Sequence, residues 1–211
     1  MLGWAETRWR APPHVAAALA WKEYTYWLAV PVVLGWTVAR RVPLLTPADV
    51  LVRHGGPGSL LTLSLRRSVR LAVLADDPLL VTANSDRIRP AATEADLLAE
   101  LSESFLGKHL DPFIRTLTGH TRIGVRPLRG SVSAGVAHAF VRAAVPGTQP
   151  SDLATILSAL GLDDLVRLRP GPGGTCTVER RTCCLAFTLP ERRACRGCCL
   201  AATWPTTSEP A

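Results

Sequence analysis

Lysine is almost missing from this chain: Lys22 and Lys108 are the only two, so arginine carries nearly all of a net charge of +7. The Gly-rich stretch His54-Gly55-Gly56-Pro57-Gly58 therefore has no Lys-Ser/Thr pair to make it a phosphate-cradling P-loop, and it reads as a plain loop. Also missing are a dinucleotide Gly fingerprint, an H-E-x-x-H helix and a convincing Ser-His-Asp set, which excludes the commonest hydrolytic and nicotinamide chemistries. His14, His54, His109, His120 and His138 show no metal-ligand spacing among themselves. No apolar run is long enough to span a bilayer, which takes about 20 residues. The best stretch, residues 24–39, is interrupted by Pro31 and Gly35. The N-terminus has no apolar run of secretory length, and the expected compartment is the cytoplasm, with peripheral contact at the inner membrane as a minor option. No internal repeat is present.

What is there begins with a real core. Apolar residues make up 47% of 211, enough for one body with an appendage. The expected fold class is α+β: a helix-rich body with a small β-sheet, then a short cysteine module. Residues 13–41 read as an aromatic helix broken near Pro31, with Trp21, Tyr24, Tyr26, Trp27 and Trp36 mostly as core anchors. Thr46-Pro47 starts a short helical turn. Residues 60–65 and 69–74 read as strands, with Leu79–Thr82 as a third. Thr93-Glu94-Ala95-Asp96 resembles a capping box that opens a long amphipathic helix through Leu97, Leu101, Phe105, Leu110, Ile114 and Leu117, bent near Pro112. Residues 131–144 and 151–160 complete the helices, with Ser151 as cap of the second and Gly161 closing it. The expected organisation is a body over 1–169, a Pro/Gly hinge over 170–174, a cysteine module over 175–204, extended at first and ending in a tight loop, and a tail over 205–211.

The informative stretch is RRTCCLAFTLPERRACRGCCLA, from Arg180 to Ala201, which holds five of the six cysteines. In a cytoplasm thiols stay reduced, so clustered cysteines point to metal or redox chemistry before disulfides. Adjacent cysteines are poor bridge partners, because consecutive Cα atoms are about 3.8 Å apart and disulfides want about 4.4–6.8 Å. The spacing is C-C-x₁₀-C-x₂-C. The C-x₂-C half is a metal knuckle. The C-C half is less usual, since neighbours on a strand point to opposite faces and serve one centre only where the chain turns. A binuclear centre eases that requirement, while zinc sites favour two separated C-x₂₋₄-C pairs.

This terminal module resembles the [2Fe-2S] signature of the FhuF-like ferric siderophore reductases, over about twenty residues; the body is similar only in general terms. The resemblance implies a [2Fe-2S] cluster on Cys183, Cys184, Cys195 and Cys198. It further implies one-electron reduction of a ferric siderophore in the cytoplasm, releasing Fe²⁺. Such a reaction needs no catalytic residue beyond the cluster. With no flavin or nicotinamide fingerprint in the chain, electrons are expected from a separate donor of ferredoxin or flavoprotein type. Cys176 and Cys199 are extra to the signature and read as spare buried thiols. Arg180, Arg181, Arg192, Arg193 and Arg196 flank the module; cations there favour a more negative reduced centre and attract an acidic donor or anionic chelate. Arg122, Arg126 and Arg129 form a second basic stretch suited to planar oxygen pairs. Two other readings stay open: a zinc-stapled binding protein for nucleic acid or a protein partner, which lacks basic–aromatic interleaving in its favour, and an iron–sulfur protein that binds siderophore or senses redox state without turnover.

Overall fold

The computed structural model describes residues 2–56, 59–82, 85–143, 149–170, 176–190 and 194–200. The fold is α+β, a helical body carrying small sheets. Its axis is α2 (Pro13–Ala39), preceded by α1 (Leu2–Trp9). Pro31 does not break α2, contrary to the sequence expectation. Proline removes the partner of the Trp27 carbonyl, but Trp27 is 40% exposed, so the lost bond falls on the outer face of the helix while the buried face stays packed. The helix ends at Arg40 in the left-handed region, φ 49°, whose amide closes back on the Gly35 and Trp36 carbonyls. The aromatic expectation divides: Trp21, Tyr24 and Trp36 are buried anchors, and Trp27 faces outward.

Three strands form the larger sheet: β1 (Val42–Leu44), β4 (Arg70–Leu74) and β5 (Ile88–Ala91), with β1 antiparallel and β5 parallel to β4. A hairpin of β2 (Val50–Gly56) and β3 (Ser59–Leu65) stands beside it. His54, Gly55 and Gly56, expected as loop, thus belong to the backbone ladder, while Pro57 and Gly58 lie outside the described residues. Leu79–Thr82 is not a strand but a helical turn, α3. The reason is the preceding Asp77-Pro78: the Asp77 carboxylate accepts the Leu79 amide at 2.8 Å, and proline suits a first helical position. Arg41 holds the same carboxylate with two bonds of 2.7 and 2.9 Å.

The capping box is real: Thr93 Oγ1 accepts from the Asp96 amide and Asp96 from Thr93, opening α4 (Glu94–Leu101). The helix runs on without a break through π-helical turns (Ser102–Leu110) into α5 (Asp111–His120), and Pro112 sits in the first turn of α5. Next come α6 (Val125–Ala143) and α7 (Pro150–Ala159). The cap of α7 is Gln149, not Ser151, because Pro150 takes the first helical position. Gly161 closes it with φ +60°, as its sequence position suggested.

Helix α6 packs along α2 because one face is built of Gly130, Ser131, Ala134, Gly135 and Ala137, all buried. A Cβ on Gly135 would meet the Thr25 carbonyl and the Tyr26 Cα at 3.2 Å, so the two backbones nearly touch. Trp21 Nε1 donates to the Leu128 carbonyl at 2.9 Å and ties the pair together.

One buried polar pair crosses this core. The Tyr24 hydroxyl and His109 Nε2 hydrogen-bond to each other, with Phe113 edge-on to Tyr24. Burial pushes His109 down to about 4 and Tyr24 up to about 12. The unfolded chain takes up a proton at His109 as pH falls below about 6.5, whereas the folded chain resists until about 4. Stability is therefore full above the unfolded value and is lost as pH falls through this window, by up to about 3 kcal/mol. His138 is pushed down to about 4 in the same way and adds to the loss. Urea melts at pH 7 and pH 5 are expected to show wild type losing more stability than His109→Gln; equal losses would remove His109 as a cause.

Candidate functional site: a thiol cluster over a buried arginine

Strand β6 (Val166–Pro170) pairs antiparallel with β7 (Cys176–Arg180), from Val166 opposite Arg180 to Pro170 opposite Cys176. The module therefore starts as an extension of the body, and Val178 joins the main core. The expected hinge lies outside the described residues apart from Pro170, as does the tail. The chain is extended only to Arg180. Leu185 then takes φ 64°, in the left-handed region, and a short 3₁₀ turn follows at Ala186–Thr188. That turn answers the problem of adjacent cysteines. The Leu185 amide folds back to the Cys183 sulfur at 3.3 Å, and the Ala186 amide bonds the Cys184 sulfur.

The loop after residue 194 repeats the device. The Cys198 amide reaches the Cys195 carbonyl at 3.0 Å, and the Leu200 amide reaches the Cys198 sulfur at 3.4 Å. Gly197 has φ +69°, and its carbonyl accepts from the Arg180 amide at 2.8 Å. This lays the loop directly on β7: a Cβ on Gly197 would stand 1.9 Å from the Val178 carbonyl oxygen.

The two segments meet. Cys195 packs with Cys184 and donates a hydrogen bond to its sulfur, which holds Cys184 well below the usual thiol range. The cations of Lys22 and Arg180 and the Ala186 amide act in the same direction, against burial. Cys195, as the donor, is pushed up. Cys199 is pushed up by burial and by the nearby sulfurs of Cys183 and Cys198. The contacts among the thiols are thus a Cys184–Cys195 pair and Cys199 beside the sulfurs of Cys183 and Cys198, with all six cysteines free of disulfides. Among the described residues no three His, Cys, Asp or Glu side chains are placed to hold a metal ion.

Beneath them is Arg180, 1% exposed. Its Nη2 donates to Ser131 Oγ at 3.0 Å and its Nε to the Thr182 carbonyl at 3.3 Å, while Nη1 has no partner among the described residues. No carboxylate pairs with it among the described residues. A buried cation in that position demands an anion. Four thiolates around a [2Fe-2S] centre carry about two net negative charges in the oxidised state, so Arg180 matches such a group in charge, while among the described residues the sulfurs do not converge on one centre. Sequence reasoning had placed Arg180 among flanking arginines; only its position at the end of β7, facing α6, marks it out.

The thiols open into a cavity of about 910 Å³ walled by Cys195, Cys198 and Cys199, by Cys176 of β7, and by Lys22, Tyr26, His138 and Arg142 of the two long helices. Cys176 and Cys199 are half-buried wall residues, not the buried spares expected. Of the other arginines singled out, Arg196 lines this cavity. Arg181 instead bonds the Asp164 carbonyl at 3.3 Å and Arg126 the Asp164 carboxylate at 3.1 Å, while Arg129 pairs with Asp111 at 3.0 Å. Arg122 is exposed and does not line the cavity. Arg192 and Arg193 lie outside the described residues. Tyr26 is one of the helix aromatics the sequence singles out, whereas Lys22, His138 and Arg142 carry no site signal there beyond Lys22 being half of the lysine in the chain. Among the described residues no helix is long and apolar enough to cross a membrane. No family model and no curated protein matches this chain.

Proposed function

We propose that this chain is a ferric siderophore reductase of the cytoplasm, with Cys183, Cys184, Cys195 and Cys198 holding a [2Fe-2S] cluster. The observation that carries the reading is Arg180, a buried cation with no carboxylate partner among the described residues, under thiols whose sulfurs already accept backbone amides. When bound, the cluster supplies a one-electron relay at the cavity wall. The chain's own residues do the rest. The amides of Leu185 and Leu200 and the hydrogen bond to Cys184 stabilise sulfur in its anionic form. Arg180 and Lys22 favour added negative charge at the site, which draws an electron inward. The cavity gives the chelate a place against Cys195 and Cys198. In the balanced step a separate ferredoxin- or flavoprotein-type donor loses one electron and the chelated Fe³⁺ gains it. The resulting Fe²⁺ is held more weakly by hard oxygen donors and leaves.

Cys195→Ser tests this directly. The variant is expected to keep the helical far-UV signal of the body and to lose both the visible absorption of the purified protein and ferric-chelate reduction. Full reduction by the variant would overturn the proposal. A colourless wild type with one zinc per chain, even when supplied with iron and sulfide, would do so as well.

A further inference from the structure

The cavity has a sign. Lys22 of α2, Arg142 of α6, Arg169 of β6 and Arg196 of the thiol loop reach it from four elements, and Glu179 is the one carboxylate in its described lining. Arg169 and Glu179 cancel, with Nε donating to Oε2 at 2.7 Å. Lys22, Arg142 and Arg196 have no ion-pair partner among the described residues. Arg142 leans on the Tyr26 hydroxyl at 3.4 Å, which keeps its guanidinium at the cavity rim. His138 adds no charge near neutral pH, since burial and its cationic neighbours hold it down to about 4.

Chemistry then separates the classes of ferric chelate. Three hydroxamates neutralise Fe³⁺ and give a chelate with no net charge. Carboxylate and catecholate donors bring more negative charge than the iron can balance. A neutral chelate entering this cavity would desolvate the Arg142 and Arg196 guanidiniums, with Lys22 already turned to the Cys184 sulfur, and return nothing for it. An anionic chelate pairs with them, and planar carboxylate oxygens suit the guanidinium fork. A volume of about 910 Å³ matches a ligand of that size.

We infer that the cavity selects ferric chelates bearing net negative charge, of the carboxylate or catecholate type, over neutral chelates. This rests on the reductase reading for its purpose but not for its test. Calorimetric titration of the full, cluster-loaded chain with gallium(III) citrate and with a neutral gallium(III) trihydroxamate measures binding alone, because gallium keeps the charge of Fe³⁺ and takes no electron. The citrate complex is expected to bind about tenfold tighter or more, a difference of about 1.4 kcal/mol. The advantage is expected to shrink in Arg142→Gln and as salt is raised from about 50 to about 300 mM. Arg142 and Arg196 are both exposed, so Arg196→Gln serves as a second variant if the first misfolds. Equal binding of the two complexes, or a preference untouched in both variants, would overturn the inference. Reduction of the two ferric complexes is assayed separately. Selective binding with no reduction of either complex would refute the reductase and keep the selectivity; reduction without any preference in binding would do the reverse.

Discussion

Gly197→Ala is expected to leave the helical body folded and to empty the thiol site. Two costs fall on one atom. Gly197 sits at φ +69°, where a side chain costs about 1 kcal/mol or more. Its new Cβ would also stand 1.9 Å from the Val178 carbonyl oxygen, a backbone atom in a paired strand that has nowhere to move. The loop then leaves β7, breaking the 2.8 Å bond between the Arg180 amide and the Gly197 carbonyl. Cys195 and Cys198 go with it, while Cys183 and Cys184 stay on their own turn. Iron and sulfide content is expected to fall about tenfold or more, with the thermal midpoint of the body moving by only a few degrees. Gly119→Ala is the matched control: it lies in α5, nothing stands within 4 Å of its Cβ, and helix propensity favours the change by about 1 kcal/mol. A Gly197→Ala protein with full iron and sulfide would show that the loop does not need its seat on β7.

Arg180→Met is expected to leave the stability of the empty protein nearly unchanged and to lower the reduction potential of the loaded one. Without iron and sulfide the wild-type guanidinium is buried with Nη1 unpartnered among the described residues, a desolvation cost that Met does not bear. Loss of the bonds to Ser131 Oγ and the Thr182 carbonyl takes back about 1 kcal/mol each, so the metal-free variant should be about as stable as wild type. With the cluster loaded, the variant lacks the cation beneath it. Its reduction potential should drop by something on the order of 60 mV, the tenfold step for a one-electron couple. Arg180→Lys keeps the charge and should recover most of that drop. A loaded Arg180→Met protein with an unchanged potential would reduce Arg180 to a packing residue.

Much of this was open to reading in the sequence where local chemistry decides. The capping box at Thr93 and Asp96, the Thr46-Pro47 turn, the β3 and β4 strands and Gly161 all follow from neighbours within a few residues. The failures are places where distant packing or a competing cap decided. Pro31 stays helical because α2 is pinned along its length by α6 and the sheet. Leu79–Thr82 has the apolar look of a strand, yet Asp77 caps it as a helix. Strands β1 and β5 are three and four residues long, too short to carry a period. At the site, the thiols were legible as a spacing. The cation beneath them was not, since Arg180 and Arg181 look alike in sequence and one is buried while the other meets Asp164. Nor could spacing bring Lys22 and Arg142 to the same wall; only the close run of α2 against α6 does that.

The Cys184 turn packs on more than its own neighbours Ala186 and Leu189. It rests on Val15 and Leu19 in the first turns of α2, with Trp9 of α1 alongside, more than 160 positions earlier. During synthesis those early residues wait exposed until the last sixth of the chain emerges to cover them. Under the proposed function, cofactor insertion would be a late event: a ribosome-bound or C-terminally clipped chain has Val15 and Leu19 but lacks the Cys184 that covers them, and is expected to bind no iron.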